Sequence, residues 1–93
     1  MIPRMTKVEP RDNFILYVMF DDGQEVLYDV KDDIETISDF YILKSEIGLF
    51  EHVQVDKSRT CVYWNDKVDL PSDTILEYGK KLAGFTEKNR TDV

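Results

Sequence analysis

Phe14-Ile15-Leu16-Tyr17-Val18-Met19-Phe20 is an uninterrupted apolar run that leads straight into Asp21-Asp22-Gly23. A run so rich in β-branched and aromatic residues reads as a strand covered on both faces. At seven residues it is far too short to span a bilayer. Asp21-Asp22-Gly23 marks a hairpin turn, and Glu25-Val26-Leu27-Tyr28-Asp29-Val30 alternates well enough to be the return strand. Two registers compete. A two-residue Asp22-Gly23 turn puts Leu16, Val18 and Phe20 on the face that carries Glu25 and Asp29. A three-residue loop with Gly23 left-handed pairs Val18 with Val26, Leu16 with Tyr28 and Phe14 with Val30. The second keeps the apolar faces together, and burial sets register. It leaves Ile15, Tyr17, Met19 and Leu27 opposite the main core face. That second apolar patch needs a cover, either the irregular 31–50 segment or another chain.

The remaining elements are shorter. Asp32 with Glu35 three residues on resembles a capping box, with Ile34 and Ile37 facing inward. Ser45 could cap a further turn that presents Ile47, Leu49 and Phe50, although Gly48 weakens a helix there. His52 to Asp56 and Thr60 to Trp64 alternate as two antiparallel strands, with Val53, Val55, Val62 and Trp64 buried. Trp64 is expected to anchor the core. Asn65-Asp66 forms a turn and Val68 starts a short fifth strand. Pro71-Ser72-Asp73 opens a helix with the apolar stripe Ile75, Leu76, Gly79, Leu82 and Ala83. Lys80 and Lys81 suit its last turn, and Gly84 its stop. The expectation is an α+β domain over residues 1–84: an antiparallel sheet of two β-hairpins plus a short fifth strand. The C-terminal helix and one or two short helices pack on it. Residues 85–93 are expected to be a disordered tail, since Thr86 to Val93 has no apolar residue before Val93.

Composition restricts function. With 93 residues the chain fits one domain, and by surface scaling it buries ~65% of its unfolded surface. A hydrophobic fraction of 42% is globular rather than disordered. Met1-Ile2-Pro3-Arg4 is followed by no apolar leader, and Cys61 is the lone cysteine, so a reducing, cytoplasmic setting is expected. The net charge is -7, which makes direct nucleic-acid binding a poor fit, since that draws on Lys and Arg. Asp21, Asp22, Glu25, Asp29, Asp32, Asp33, Glu35 and Asp39 share their stretch with one base, Lys31. Such a run is either a solvated face or a surface that docks a basic partner.

Chemistry is sparse. His52 and Cys61 are the one nucleophile–base candidate; pairing Val53 with Val62 would set them diagonally on the outer face. One His and one Cys cannot complete a zinc site, and Asp21-Asp22-Gly23 lacks the alternating ligands of a calcium loop. No glycine-rich phosphate cradle exists. No catalytic residue, metal or cofactor is therefore expected, and Cys61 is expected to be dispensable. Trp64, Tyr63, Tyr17, Tyr28, Tyr41 and Tyr78 read as core rather than as a binding platform.

The order of motifs nonetheless resembles a small bacterial family, domain of unknown function twenty-four forty-two. The pattern is an apolar strand ending Phe-x-Asp-Gly, a strand ending Asp-Val, Leu-Phe before Val-x-Val, then Val-Tyr-Trp-Asn-x-x-Val-Asp-Leu-Pro. Here it is carried by Phe20, Asp22, Gly23, Asp29, Val30, Leu49, Phe50, Val53, Val55, Trp64, Asn65, Asp69, Leu70 and Leu76, between about residues 4 and 82. The resemblance implies a compact α+β domain without agreed catalytic residues. It also implies a regulatory or antitoxin-like role, since some relatives carry a C-terminal helix-turn-helix and others are encoded beside a small toxin-like protein. Nine residues follow Gly84, too few for that extra domain, so direct operator binding is not expected.

These observations favour a non-catalytic interaction or regulatory module that binds a protein partner of basic character. The binding surface is expected at Asp21, Asp22, Glu25, Asp29, Ile15, Tyr17 and Met19. An acidic nucleic-acid mimic or regulatory subunit is the alternative, and an enzyme using His52 and Cys61 a third reading. Self-association stays open. No membrane contact is expected.

Overall fold

Gly23 adopts φ 91°, the left-handed conformation that glycine reaches without steric cost. It closes a three-residue loop: the Phe20 N–H donates to the Gln24 carbonyl at 2.8 Å and the Gly23 N–H to the Phe20 carbonyl at 2.9 Å. The computed structural model, which describes residues 2–82, therefore contains the burial-driven register. Strand β2 (Ile15–Phe20) pairs Val18 with Val26 and Leu16 with Tyr28 of β3 (Glu25–Asp29). Phe14 is not part of the strand. It takes φ 59° in a turn, and its carbonyl accepts the Val30 N–H at 2.9 Å. Left-handed backbone costs a side-chain-bearing residue ~1–2 kcal/mol. Packing of the Phe14 ring edge-on against Phe50, with centroids 5.3 Å apart, offsets that cost.

An unforeseen strand, β1 (Met5–Arg11), lies antiparallel to β2, with Val8 opposite Val18 and Glu9 opposite Tyr17. Its alternation is hidden by an irregularity between Met5 and Lys7. Pro10 is tolerated because β1 is an edge strand.

The α+β class holds, with the strands divided between two antiparallel sheets. One has the order β1-β2-β3-β7 (β7 being Lys80–Lys81) and the other β4-β5-β6 (Gln54–Val55, Cys61–Asn65 and Val68–Pro71). In the second, β4 is brief. It pairs Gln54 with Tyr63 and Val55 with Val62 of β5, which then pairs with β6. Val55, not Val53, thus faces Val62. Because β4 is an edge strand, Val55 remains exposed, contrary to the expected burial. The Asn65 carboxamide accepts the Lys67 and Val68 N–H groups at 2.8 and 3.0 Å, which makes the expected turn.

The segment between the sheets in sequence is helical in short pieces. Helix α1 (Lys31–Thr36) lacks the capping box at Asp32; the Asp29 carboxylate instead accepts the Lys31 N–H at 2.9 Å. Ile34 is buried, but the helix stops at Ile37, which turns outward. A 3-10 turn (Ser38–Tyr41) buries Phe40, α2 (Ile42–Ser45) buries Leu43, and a second 3-10 turn (Phe50–His52) buries Phe50. Ser45 therefore ends a helix rather than capping one. One continuous core joins these residues to Leu16, Val18, Val26, Val62, Trp64, Val68 and Ile75.

Helix α3 (Ser72–Tyr78) opens after Pro71 as expected but ends five residues early. Lys80 and Lys81 leave the helix and form β7, which pairs with Leu27 and Val26. Gly79 is the reason. A Cβ there would stand 2.2 Å from Val26 Cγ1 and 2.5 Å from the Ile75 carbonyl oxygen, so only glycine lets the helix end abut β3. Ala83, Gly84 and the 85–93 tail lie outside the described residues.

Gly79→Ala gives opposite forecasts for the two arrangements. In a continuing helix it would add ~1 kcal/mol of stability. In this structure the new methyl meets backbone and core, so a loss of ~1–3 kcal/mol is expected by chemical denaturation. A stabilised variant would restore the longer helix.

Candidate functional site

Ladder pairing decides what each expected site residue faces. Ile15, Tyr17 and Met19 share the outer face of the first sheet with Arg11, Glu9 and Lys7, their partners on β1, and with Glu25, Leu27 and Asp29 on β3. The 31–50 segment packs into the core on the other side and does not cover this face. The cover comes from charged side chains instead. The Arg11 guanidinium lies 4.7 Å from the centroid of the Tyr17 ring, a cation–π contact. The Tyr17 hydroxyl donates to the Glu25 carboxylate, which holds the phenol above its ordinary pKa. Glu9 takes 3.0 Å and 3.1 Å contacts from Arg11 and Lys7, and its carboxyl is lowered by those hydrogen bonds. Tyr17 ends up buried, and Ile15, Met19 and Leu27 half-buried.

The four expected acids are all engaged locally. Asp21 receives a bidentate contact from Arg59 at 2.7 and 3.0 Å and a hydrogen bond from the Thr6 hydroxyl. Arg59, then Thr6, hold its carboxyl below the ordinary range. Asp22 accepts the Gln24 N–H at 3.0 Å and the Gln24 side-chain amide at 2.8 Å, which lower its pKa. Glu25 binds Tyr17. Asp29 bonds the Lys31 N–H and its ammonium, the latter at 3.1 Å. The tip of the first hairpin is thus latched to the β4–β5 loop of the second sheet. Arg59 itself sits at φ 62° and its carbonyl accepts the Met5 N–H at 2.8 Å. Asp56 fixes the same loop by accepting the Ser58 hydroxyl and the Thr60 and Cys61 N–H groups. Arg59 carries this latch, and nothing in a strand–loop–strand pattern singles it out.

His52 and Cys61 do not meet. His52 belongs to the 3-10 turn before β4, whereas Cys61 pairs with Pro71 at the far end of β5. Burial, then Asp69 and Asp56, push the Cys61 thiol up, which keeps it in the weakly nucleophilic protonated form. Among the described residues no three His, Cys, Asp or Glu side chains group so as to hold a metal ion. No helix among them is long and apolar enough to cross a membrane.

Large exposed apolar side chains lie on other parts of the chain. Ile37, Tyr41 and Ile47 are 43%, 56% and 100% exposed, all within the helical segment expected to turn Ile37 inward. Ile47 stands on a tight turn in which the Leu49 N–H donates to the Glu46 carbonyl at 3.2 Å and Gly48 takes φ 87°. Residues 31–52 hold six acids (Asp32, Asp33, Glu35, Asp39, Glu46, Glu51) against Lys31 and Lys44, a net charge of 2 − 6 = −4 with His52 neutral. Among the described residues, Asp32, Glu35, Asp39, Glu46 and Glu51 form no ion pair. Asp33 accepts the buried Tyr28 hydroxyl at 2.6 Å. Tyr63 and Tyr78 are also exposed, on separate elements.

The family model described as protein of unknown function, DUF2442, matches residues 5–81, and the chain belongs to that family. No curated protein and no solved structure matches the chain.

Asp21→Asn tests the latch. Because the folded-state pKa of Asp21 is depressed, its stabilisation is fully present above the unfolded value of about 3.9 and is lost as pH falls through the folded value. The variant is expected to melt below the wild type at neutral pH, with the gap closing on acidification. Equal melting temperatures at pH 7, or a gap that persists in acid, would show the latch to be idle.

Proposed function

We propose that this domain is a non-catalytic interaction module that docks a basic polypeptide on its 31–52 segment. The observation that carries the reading is Ile47, a large apolar side chain wholly in solvent on a tight turn, within a stretch of net charge −4. A constrained apolar anchor loses little conformational freedom on binding. Carboxylates of the same segment, without counter-ions among the described residues, raise the encounter rate with a basic partner and repel acidic ones. The hairpin acids are less suited to this, since Arg59, Gln24, Tyr17 and Lys31 already occupy them. A small basic protein, as an antitoxin-like role would require, has the matching chemistry.

The test is capture from the native host with wild-type and Ile47→Asp baits, each partner then being purified and its affinity measured. A basic partner is expected whose affinity falls at least ten-fold with Ile47→Asp, as for a central interface anchor, and whose association slows with added salt. Melting of the variant should stay near wild type, because Ile47 packs on nothing. A partner that binds both baits equally would contradict the docking face.

A further inference from the structure

Four separate parts of the chain converge on a groove of about 790 Å³, in the size range of small-ligand sites. Ile2, Pro3, Phe20 and Leu76 supply its apolar lining, and Arg4 and Asp22 are charged groups of its wall. The wall is fixed before any ligand arrives. The buried Ser72 hydroxyl donates to the Pro3 carbonyl at 2.6 Å, and the Asp21 N–H donates to the Arg4 carbonyl at 2.9 Å. The Arg59–Asp21 latch holds the opposite side.

The charges select the ligand class. Asp21, also in the wall, is neutralised by Arg59. Arg4 makes no ion pair among the described residues, whereas Arg11 and Arg59 both do. Among the described residues Asp22 is bonded by the neutral amides of Gln24 but by no cation, and each of its oxygens can accept again. A groove with one unpaired cation, one unpaired anion and an apolar lining complements a dipolar molecule with an apolar body. A fatty acid would leave Asp22 unanswered, an apolar amine would leave Arg4 unanswered, and a polyanion would meet too little positive charge. We propose that the groove binds a short apolar peptide with free termini, its carboxylate on Arg4 and its α-ammonium on Asp22. This site is separate from the 31–52 docking face and does not depend on it.

The probes are the dipeptide Leu-Phe, its N-acetyl form, and its C-terminal amide, titrated into isotope-labelled protein while amide shifts are followed by NMR. Leu-Phe is expected to shift the amides of Arg4, Asp22, Thr60 and Leu76 saturably. Each capped form should bind about ten-fold more weakly, the scale of one charge-assisted hydrogen bond. Amidation should then cost little in Arg4→Gln, and acetylation little in Asp22→Asn. Asn at 22 can still accept the Gln24 N–H that holds the turn. The proposal is overturned by unsaturable shifts, by shifts confined to other surfaces, or by capping losses that are the same in all three proteins.

Discussion

One aromatic chain ties the domain together, and Trp64 is its middle link. The indole N–H donates to the Phe50 carbonyl at 3.0 Å, its ring stacks on Phe50 at 5.9 Å, and Phe40 meets it edge-on at 6.3 Å. Phe50 in turn packs edge-on against Phe14. Through four rings the second sheet, the irregular helical segment and the turn at the start of β2 become one body. The contact is polar as well as apolar. A Trp donor buried to 7% exposure needs an acceptor, and the Phe50 carbonyl supplies one that a 3-10 turn alone would leave available. The segment 38–52 has little regular structure of its own, so this bond and these rings are what hold its exposed residues in place.

The hairpin register does the equivalent work for the first sheet. Placing Gly23 left-handed sends Leu16, Val18, Val26 and Tyr28 into the core and puts Ile15, Tyr17 and Met19 on the opposite face of the sheet. An apolar stripe on an open sheet face invites association. Here β1 lays Lys7, Glu9 and Arg11 directly opposite it. Their aliphatic stems and ion pairs cover much of what would otherwise be sticky, and Tyr17 is satisfied at both its ring and its hydroxyl. The acids that sequence alone assigns to partner steering are in large part the structural acceptors of this arrangement.

Legibility followed the range of the determining contact. The β2–β3 register, the Asn65 turn and the inward phase of Val62 and Trp64 rest on residues within a few positions of each other, and all were readable. The end of α3 was not, because it depends on Gly79 meeting Val26, fifty-three positions away. Strand β1 was obscured by Pro10 and a bulge. The seven residues expected to bind a partner do cluster on one hairpin, yet they are already occupied: Asp22, Glu25 and Asp29 by Gln24, Tyr17 and Lys31 close by, and Asp21 by Arg59, thirty-eight residues away. Charge pattern reports how many acids a segment has, and only the fold reports which of them are already answered. Ile37 departs from its expected inward face for a related reason: apolar spacing implies burial only while the helix continues, and Ile37 lies just past the end of α1.

Trp64 fastens the helical segment to the second sheet through its bond to the Phe50 carbonyl. Hydrogen exchange of the Trp64 indole N–H reads that bond directly. It should exchange as slowly as the Val18 and Val26 amides of the central strands, opening only with global unfolding. An indole proton that exchanges at the rate of a free side chain, while those strand amides stay protected, would mean that the Phe50 carbonyl does not hold it and that residues 38–52 move independently of the sheets.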